Sequence, residues 1–403
     1  MFSGDFMSKV VVIGAGASGI VAALKASEKN EVILVDGNDK CGKKILLTGN
    51  GRCNYWNSNI HTKQYQTDNM QVLEKILESK EQVLEYLNHL GIYPKIKNEL
   101  YYPYSNQASS IQTIFENELK RRNIKILNNC KVISIIKKEK QFVVISNDDE
   151  IVADKLVLAT GSKAFSKTGS DGSCYEIIKN LGHTINPVLP SLVPLKTDII
   201  QNCNGVRCDA KISLYINDEL VKEETGELQL TDYGVSGICI LNLSGIVSKN
   251  LYLKNKVNLN INFLPNITSF YDWFSERNEE LKNHTILELL ESLFPYKLLF
   301  AILKKANIKN DATWHQLSEI EKQRLCTNIE SFHLKVIDTL SFDRAQVCTG
   351  GVSLNEIKAT MESKMIENLY FVGEVLDVDG ICGGFNLAFA FISGYIAGSD
   401  IND

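Results

Sequence analysis

The sequence has ten cysteines among 403 residues but no Cys-x-x-Cys pair. Its two nearest, Cys203 and Cys208, have no His or second Cys group beside them to complete a zinc site. No metal centre is therefore expected, and reduced thiols are the expected state. No apolar run approaches the length of a membrane span, so no membrane partner is expected. Met1–Ser8 lacks a basic n-region, so no secretory signal is expected and the setting reads as cytoplasmic. Met1–Phe6 reads as a loose extension ahead of Met7. Internal repeats and low-complexity tracts are missing too. The net charge of −5 is mildly acidic, which argues against a surface coated in basic charge for duplex DNA but leaves room for a local basic groove. Proline is scarce. Three of the seven prolines fall in Pro187–Pro194, which marks the expected exit from one domain into another. The chain is long enough for two or three domains.

What is present begins at Lys9. Val10–Ile13 form a continuous apolar run of the kind seen in a parallel strand buried on both faces. Gly14, Gly16 and Gly19 follow with G-x-G-x-x-G spacing, and Ile20–Ala26 continue as an apolar helix. The glycines have distinct tasks in a dinucleotide site: a tight turn at Gly14, close approach of a pyrophosphate at Gly16, close helix–strand packing at Gly19. The start of the helix, Ala15, Ala17 and Ser18 included, offers free N–H groups and partial positive charge to a diphosphate. A second apolar strand, Glu31–Val35, ends in Asp36, where a ribose hydroxyl would be bound. No second G-x-G-x-x-G occurs, so no separate nicotinamide-binding domain is expected.

A second glycine loop runs Thr48-Gly49-Asn50-Gly51-Arg52-Cys53-Asn54. Lys43, Lys44 and Arg52 place three cations near the first loop, to balance phosphate or a reduced flavin, or as a solvated basic face. Helical periodicity appears over Met70–Leu90 and Ile111–Arg122. Short strands are expected at Ile124–Leu127, Lys131–Ile136 (with Val132 at its start), Phe142–Ser146 and Lys155–Leu158. The last of these closes in Ala159-Thr160-Gly161, small enough for a cofactor to approach. A helix is expected over Tyr175–Leu181. Beyond the proline boundary, β-like runs are read at Lys211–Ile216, Gly226–Leu230, Gly237–Leu243 and Val257–Phe263, and Ser269–Glu330 turns helical. Asn368–Glu374 then ends in Gly373-Glu374. Asp377 and Asp379 follow, before Cys382-Gly383-Gly384-Phe385-Asn386-Leu387 and an apolar helix over Asn386–Ala397.

These parts read as an α/β, Rossmann-type FAD domain with a two-dinucleotide-like pattern. It is built from 1–190 and 335–403 and split by a β-rich domain, 191–267, and a small helical domain, 268–334. A C-terminal Gly-Glu strand end favours FAD over a nicotinamide as the bound cofactor. More narrowly, the chain resembles the BaiN/YhiN-like family of FAD-dependent oxidoreductases. The resemblance rests on Lys43–Asn54, Tyr102-Pro103-Tyr104-Ser105, Ala159-Thr160-Gly161, Thr168-Gly169-Ser170, Pro190–Leu195 and the run from Met361 through Gly373-Glu374-Val375-Leu376-Asp377 to Leu387.

The resemblance implies the three-domain plan and places Thr48–Asn54 beside the flavin. It implies a reductase of activated carbon–carbon double bonds, with NAD(P)H as electron donor. The substrate would be a small molecule such as a steroid or bile-acid enone, or a uridine in ribosomal RNA. An oxidase of a small amine that makes peroxide, and a non-catalytic FAD-binding protein, are the other readings. Arg52 and Lys44 would stabilise negative charge. Cys53 would donate a proton or gate the site, a neighbouring cation lowering its pKa, or be a small buried cysteine with a packing role, the reading the residue type favours. Glu374 and Asp379 read as cofactor ligands or organisers rather than acid catalysts. Where family members carry a histidine, this sequence has Asp232, and Cys382 replaces a threonine. Specificity is expected within Leu195–Glu330.

Overall fold

The computed structural model describes residues 7–147, 149–198, 200, 202–278 and 281–403, so the Met1–Phe6 extension lies outside them. The chain forms two compact units. One comprises the residues up to Leu189 together with Gln346–Asp403, and the other Pro190–Ala345.

In the first unit, strand β1 (Lys9–Ile13) sits at the centre of a five-stranded parallel sheet. Its neighbours are β2 (Glu31–Val35) on one side and Lys155–Leu158 on the other, with Val10 opposite both Val32 and Lys155. Lys125–Leu127 and Leu369–Phe371 form the two edges. The sheet thus joins the two ends of the chain. Helix α1 (Ala17–Ala26) follows β1 directly. The C-terminal helix, Phe385–Ile401, packs along α1, and a Cβ at its Gly394 would run into the Ser18 carbonyl of α1, one at Gly398 into Ala22 O and Lys25 Cβ. Glycine at those points lets the two helices approach closely. A three-stranded antiparallel sheet, Val132–Lys138, Gln141–Ser146 and Glu150–Ala153, belongs to the same unit.

The second unit is a closed antiparallel barrel. Its strand order is Leu195–Thr197, Gly234–Ser236, Glu219–Leu230, Arg207–Ile216, Val257–Asn262 and Phe332–Thr339. The helices Tyr296–Ala306 and Glu319–Glu330 share its core, with Leu299, Leu303 and Leu325 clustering with barrel residues Leu214 and Leu259. The stretches 191–267 and 268–334 therefore surround one hydrophobic cluster. Residues 335–345, grouped from the sequence with the FAD domain, fall in the second unit because Phe332–Thr339 is a barrel strand.

One element differs in kind from the sequence reading. Gly237–Leu243, read as a strand, is the start of a helix, Ile238–Tyr252. A short apolar run looks alike in a buried strand and a buried helix. The deciding residue is Gly237, whose φ of 104° starts the helix. Among the described residues no helix is long and apolar enough to cross a membrane, and no group of three His, Cys, Asp or Glu could hold a metal ion.

Candidate active site

The first glycine loop is shaped by what its glycines touch. Gly14 has φ +104°, and its N–H donates to Val35 O at 2.7 Å. A Cβ there would overlap the Ala159 carbonyl, and a Cβ on Gly19 would overlap the Gly14 carbonyl. These two glycines are required by packing. Gly16 differs: it is the N-cap of α1, no side chain caps the helix, and a Cβ there would have nothing within 4 Å. The uncapped helix start therefore opens onto free space, with its first N–H groups unpaired by the helix itself.

Asp36 closes the base of this cradle. Its Oδ2 accepts the Ala15 N–H at 2.6 Å, and Oδ1 accepts from the Asn38 backbone and side chain at 2.7 and 2.9 Å. The main chain around it is pinned as well, since Cys130 N–H donates to Asp36 O and Asn129 N–H to Asn38 O. That link brings the buried Val132 towards the same corner. Ala159-Thr160-Gly161 reaches the loop because Ala159 N–H donates to Ile13 O at 2.8 Å. Asn38 also donates to Thr168 O at 3.0 Å.

The C-terminal strand end meets these loops through one carboxylate. Glu374 Oε2 takes Lys44 Nζ at 2.6 Å, while Oε1 accepts Ser162 Oγ–H at 2.6 Å and Cys348 N–H at 3.1 Å. Three other segments converge on it. Gly373, at φ +74°, lies so close to α1 that a Cβ would meet Ser18. Asn386 clamps Gly380 by two bonds of 2.8 Å, one to its N–H and one to its carbonyl. Asp379 is buried, and Leu387 lies one residue further into the C-terminal helix.

The Thr48–Asn54 loop is wound tightly. Gly49, Asn50, Gly51 and Cys53 all have left-handed backbones, with φ of 56°, 54°, 81° and 57°. Cys53 N–H donates to Thr48 O at 3.0 Å, and Thr48 Oγ–H to Ile45 O at 2.7 Å. The Asn54 carboxamide donates to Trp56 O and Tyr101 O at 3.0 and 3.1 Å. It also accepts from Gly384 N–H at 3.2 Å, so the loop is tied to the N-cap of the C-terminal helix. The three cations part company. Lys43 pairs with Asp39 at 2.6 Å and Lys44 with Glu374. Arg52 is exposed, and among the described residues nothing forms a hydrogen bond or ion pair with its guanidinium.

A family model described as HI0933-like protein Rossmann domain matches residues 8–400. The chain belongs to the HI0933-like family. It is 36% identical, over 97% of this chain and 98% of the relative, to the 3-dehydro-bile acid delta(4,6)-reductase of Clostridium scindens. It is 27% identical, over 97% of both chains, to the ribosomal RNA dihydrouridine synthase of Escherichia coli. The fold is also that of a 3-ketosteroid-delta4-(5alpha)-dehydrogenase from Rhodococcus jostii RHA1. There the TM-score is 0.52 at 13% identity, with 99% of this chain and 97% of the other covered. This HI0933-like chain is an FAD-dependent oxidoreductase.

Sequence reasoning about this HI0933-like site missed Ser162 and Cys348, which complete the Glu374 junction, and Tyr55, whose ring meets that of Tyr101 edge to face at 6.4 Å beside Cys53. Ser162 directly follows Ala159-Thr160-Gly161, and that adjacency was the available signal. Asp232 lies exposed in the barrel unit. The lowered pKa expected for Cys53 is not found. Its side chain is fully buried, and burial pushes its thiol up to about 11, against a hydrogen bond with Thr48 that lowers it. Being cut off from solvent outweighs a guanidinium on an exposed neighbour. Cys53→Ala is therefore expected to hold steady-state turnover within about threefold of wild type, not the roughly 100-fold loss of a missing general acid.

Proposed function

We propose that the chain reduces an electron-poor carbon–carbon double bond conjugated to a carbonyl, in a small steroid- or bile-acid-like enone, drawing electrons from NAD(P)H through FAD. The observation that carries this reading is the 36% identity to the Clostridium scindens reductase over 97% of the chain. A ring uridine presents the same conjugated arrangement, and the full-length match to the Escherichia coli synthase supports ribosomal RNA as the second reading.

The residues present suit FAD. The uncapped start of α1 at Gly16 gives a diphosphate both room and donors. Gly14, Ala15, Gly16, Ala17, Ser18 and Gly19 would hold the diphosphate, and Asp36 the ribose hydroxyls. Lys43, Lys44 and Thr48–Asn54, with Val132, Ala159-Thr160-Gly161, Gly373, Glu374, Asp379, Gly384, Asn386 and Leu387, would border the remainder. FAD, when bound, supplies the hydride that the substrate carbon accepts.

The protein's own contribution is charge and placement. Hydride arriving at the far end of an enone drives negative charge onto the carbonyl oxygen, and a fixed cation there lowers the barrier. Lys44 is neutralised by Glu374, so its part is to fix the junction. Arg52 keeps its charge free on a loop with little backbone freedom. Arg52→Ala is expected to lower kcat/KM for an enone by about 100-fold with flavin content unchanged, and Arg52→Lys to recover part of the loss.

The decisive experiment is an anaerobic titration of the flavin absorption with NADH and NADPH, followed by a 4-en-3-one steroid. Bleaching by the nicotinamide and reoxidation by the enone are expected. Reoxidation by oxygen alone, with stoichiometric peroxide, would make the protein an oxidase. Loss of one ribosomal dihydrouridine in a deletion strain would select the RNA reading.

A further inference from the structure

Outside the candidate site, the first unit buries a Ser–His–Glu arrangement that the proposed chemistry does not use. The His183 side chain is fully buried, and its Nδ1 lies 3.0 Å from Glu356 Oε2. Its Nε2 lies 3.1 Å from Ser363 Oγ. The ring packs edge-on to Phe371 at 4.7 Å.

The hydrogen positions follow from counting lone pairs. Ser363 Oγ accepts the N–H groups of Met365 and Ile366, both at 3.0 Å. A hydroxyl oxygen has two lone pairs, so its own proton is left to donate to His183 Nε2. Nδ1 must then carry the imidazole proton and donate it to Glu356, which also accepts the Thr184 N–H at 3.0 Å. Every group is satisfied with a neutral ring in one tautomer. A second proton at Nε2 would face a hydroxyl oxygen with no lone pair to spare. The same count rules out a hydrolytic triad, because Ser363 is 2% exposed and its oxygen is fully engaged.

The relay is joined to the strand that leads into the cofactor loop. Ser363 N–H donates to Leu369 O at 2.7 Å, and Phe371 N–H to Met361 O at 3.1 Å. Glu362 bridges Tyr370, and Gly373 and Glu374 follow directly. We propose that Ser363, His183 and Glu356 form a single-tautomer fastening on the C-terminal cofactor strand, which loosens when His183 takes up a proton.

The groups that face His183 give the sign. Among the described residues Glu356 is the charged group acting on it; the last strand presents Phe371, and the Met361–Ile366 turn presents Ser363. Burial pushes the imidazole below its usual value, while Glu356 opposes the shift. Glu356 is raised by burial, but hydrogen bonds from Thr184 and His183 prevail and hold it below the usual carboxylate value. The folded chain therefore binds fewer protons than the unfolded chain below about pH 6.5, so stability falls as pH drops from there. Glu356 adds its own loss below about pH 4.5. Above pH 7 neither group contributes a slope.

The test uses the full-length holoprotein. In 15N-histidine NMR at pH 7.5, the signal that disappears in His183→Gln is expected to report a neutral ring protonated at Nδ1. Between pH 6.5 and 5, the wild-type unfolding constant, with FAD release read alongside, is expected to rise more steeply than that of His183→Gln. One proton sets the limit of this difference at about tenfold per pH unit. Glu356→Gln keeps an acceptor for the Nδ1 proton but removes the charge that favours a second one, so its slope is expected to be at least as steep as that of wild type; it decides the matter if His183→Gln does not fold. An Nε2–H or doubly protonated ring at pH 7.5 would overturn the proposal, as would a flatter slope in Glu356→Gln than in wild type.

Discussion

Gly16→Val is expected to yield a folded protein that purifies without flavin. A valine Cβ at Gly16 meets no atom within 4 Å, and the residue's φ of −82° and ψ of −171° suit a β-branched side chain. The fold should therefore be indifferent to the change. The space it fills is the one a diphosphate would enter, so the helix N–H groups would lose their ligand. Losing two charge-assisted hydrogen bonds at about 1.5–3 kcal/mol each lowers affinity by roughly 100-fold or more. Circular dichroism should match wild type, while the flavin band near the visible region should be missing and should not return on adding FAD. Gly19→Val is the contrasting control. There the added atoms strike the Gly14 carbonyl and the Ala159 side chain, so misfolding is expected. A yellow, active Gly16→Val protein would displace the diphosphate from this loop.

Glu374→Ala is expected to be the most destabilising single change at the junction of the chain's two ends. It strips the acceptor from Lys44 Nζ, Ser162 Oγ–H and Cys348 N–H at once. The Lys44 and Glu374 side chains are 25% and 19% exposed, so solvent recovers part of the loss. With three donors left without their partner, a cost of about 3 kcal/mol is the reasonable scale. For a unit of this size that corresponds to a fall of about 6–12 °C in Tm. Glu374→Gln keeps an oxygen for Ser162 and Cys348 and gives up the ion pair with Lys44, which is free to turn to solvent from the new NH2, so a loss of about 1 kcal/mol is expected. Thermal melts of the two variants side by side separate the roles. Equal Tm losses would mean that the ion pair, not the hydrogen-bond junction, holds these segments together.

How far the sequence could be read depended on how local each signal is. Val10–Ile13 was legible because a strand buried on both faces needs an unbroken apolar run, and the glycines that follow have few other uses. Gly14 and Gly19 therefore make the turn and the close helix packing that their spacing implied. Gly237–Leu243 was misread because seven residues of apolar character fit either a strand or a buried helix. Lys44 was visible as a cation, but its neutralisation by Glu374, 330 residues away, was not. Cys53 illustrates the same limit. Its neighbour in sequence is an arginine, yet its ionisation is set by burial beneath the loop. Ser363, His183 and Glu356 carry no local pattern at all, since 173 and 180 residues separate the partners.

The parallel sheet pairs Leu369–Phe371 with Lys155–Leu158, and the C-terminal helix packs on α1. This has a consequence for biosynthesis. The glycine cradle leaves the ribosome long before one edge of its sheet, Leu369–Phe371, and the helix that braces it, Phe385–Ile401, are made. At typical elongation rates the gap is roughly 20–75 seconds. Before that interval ends the Pro190–Ala345 unit has its whole sequence available and its own core to close, while the nascent N-terminal segment holds exposed apolar strands that need shielding. Cofactor capture is thus expected only once Leu369–Ile401 has been made, and not when the cradle itself emerges.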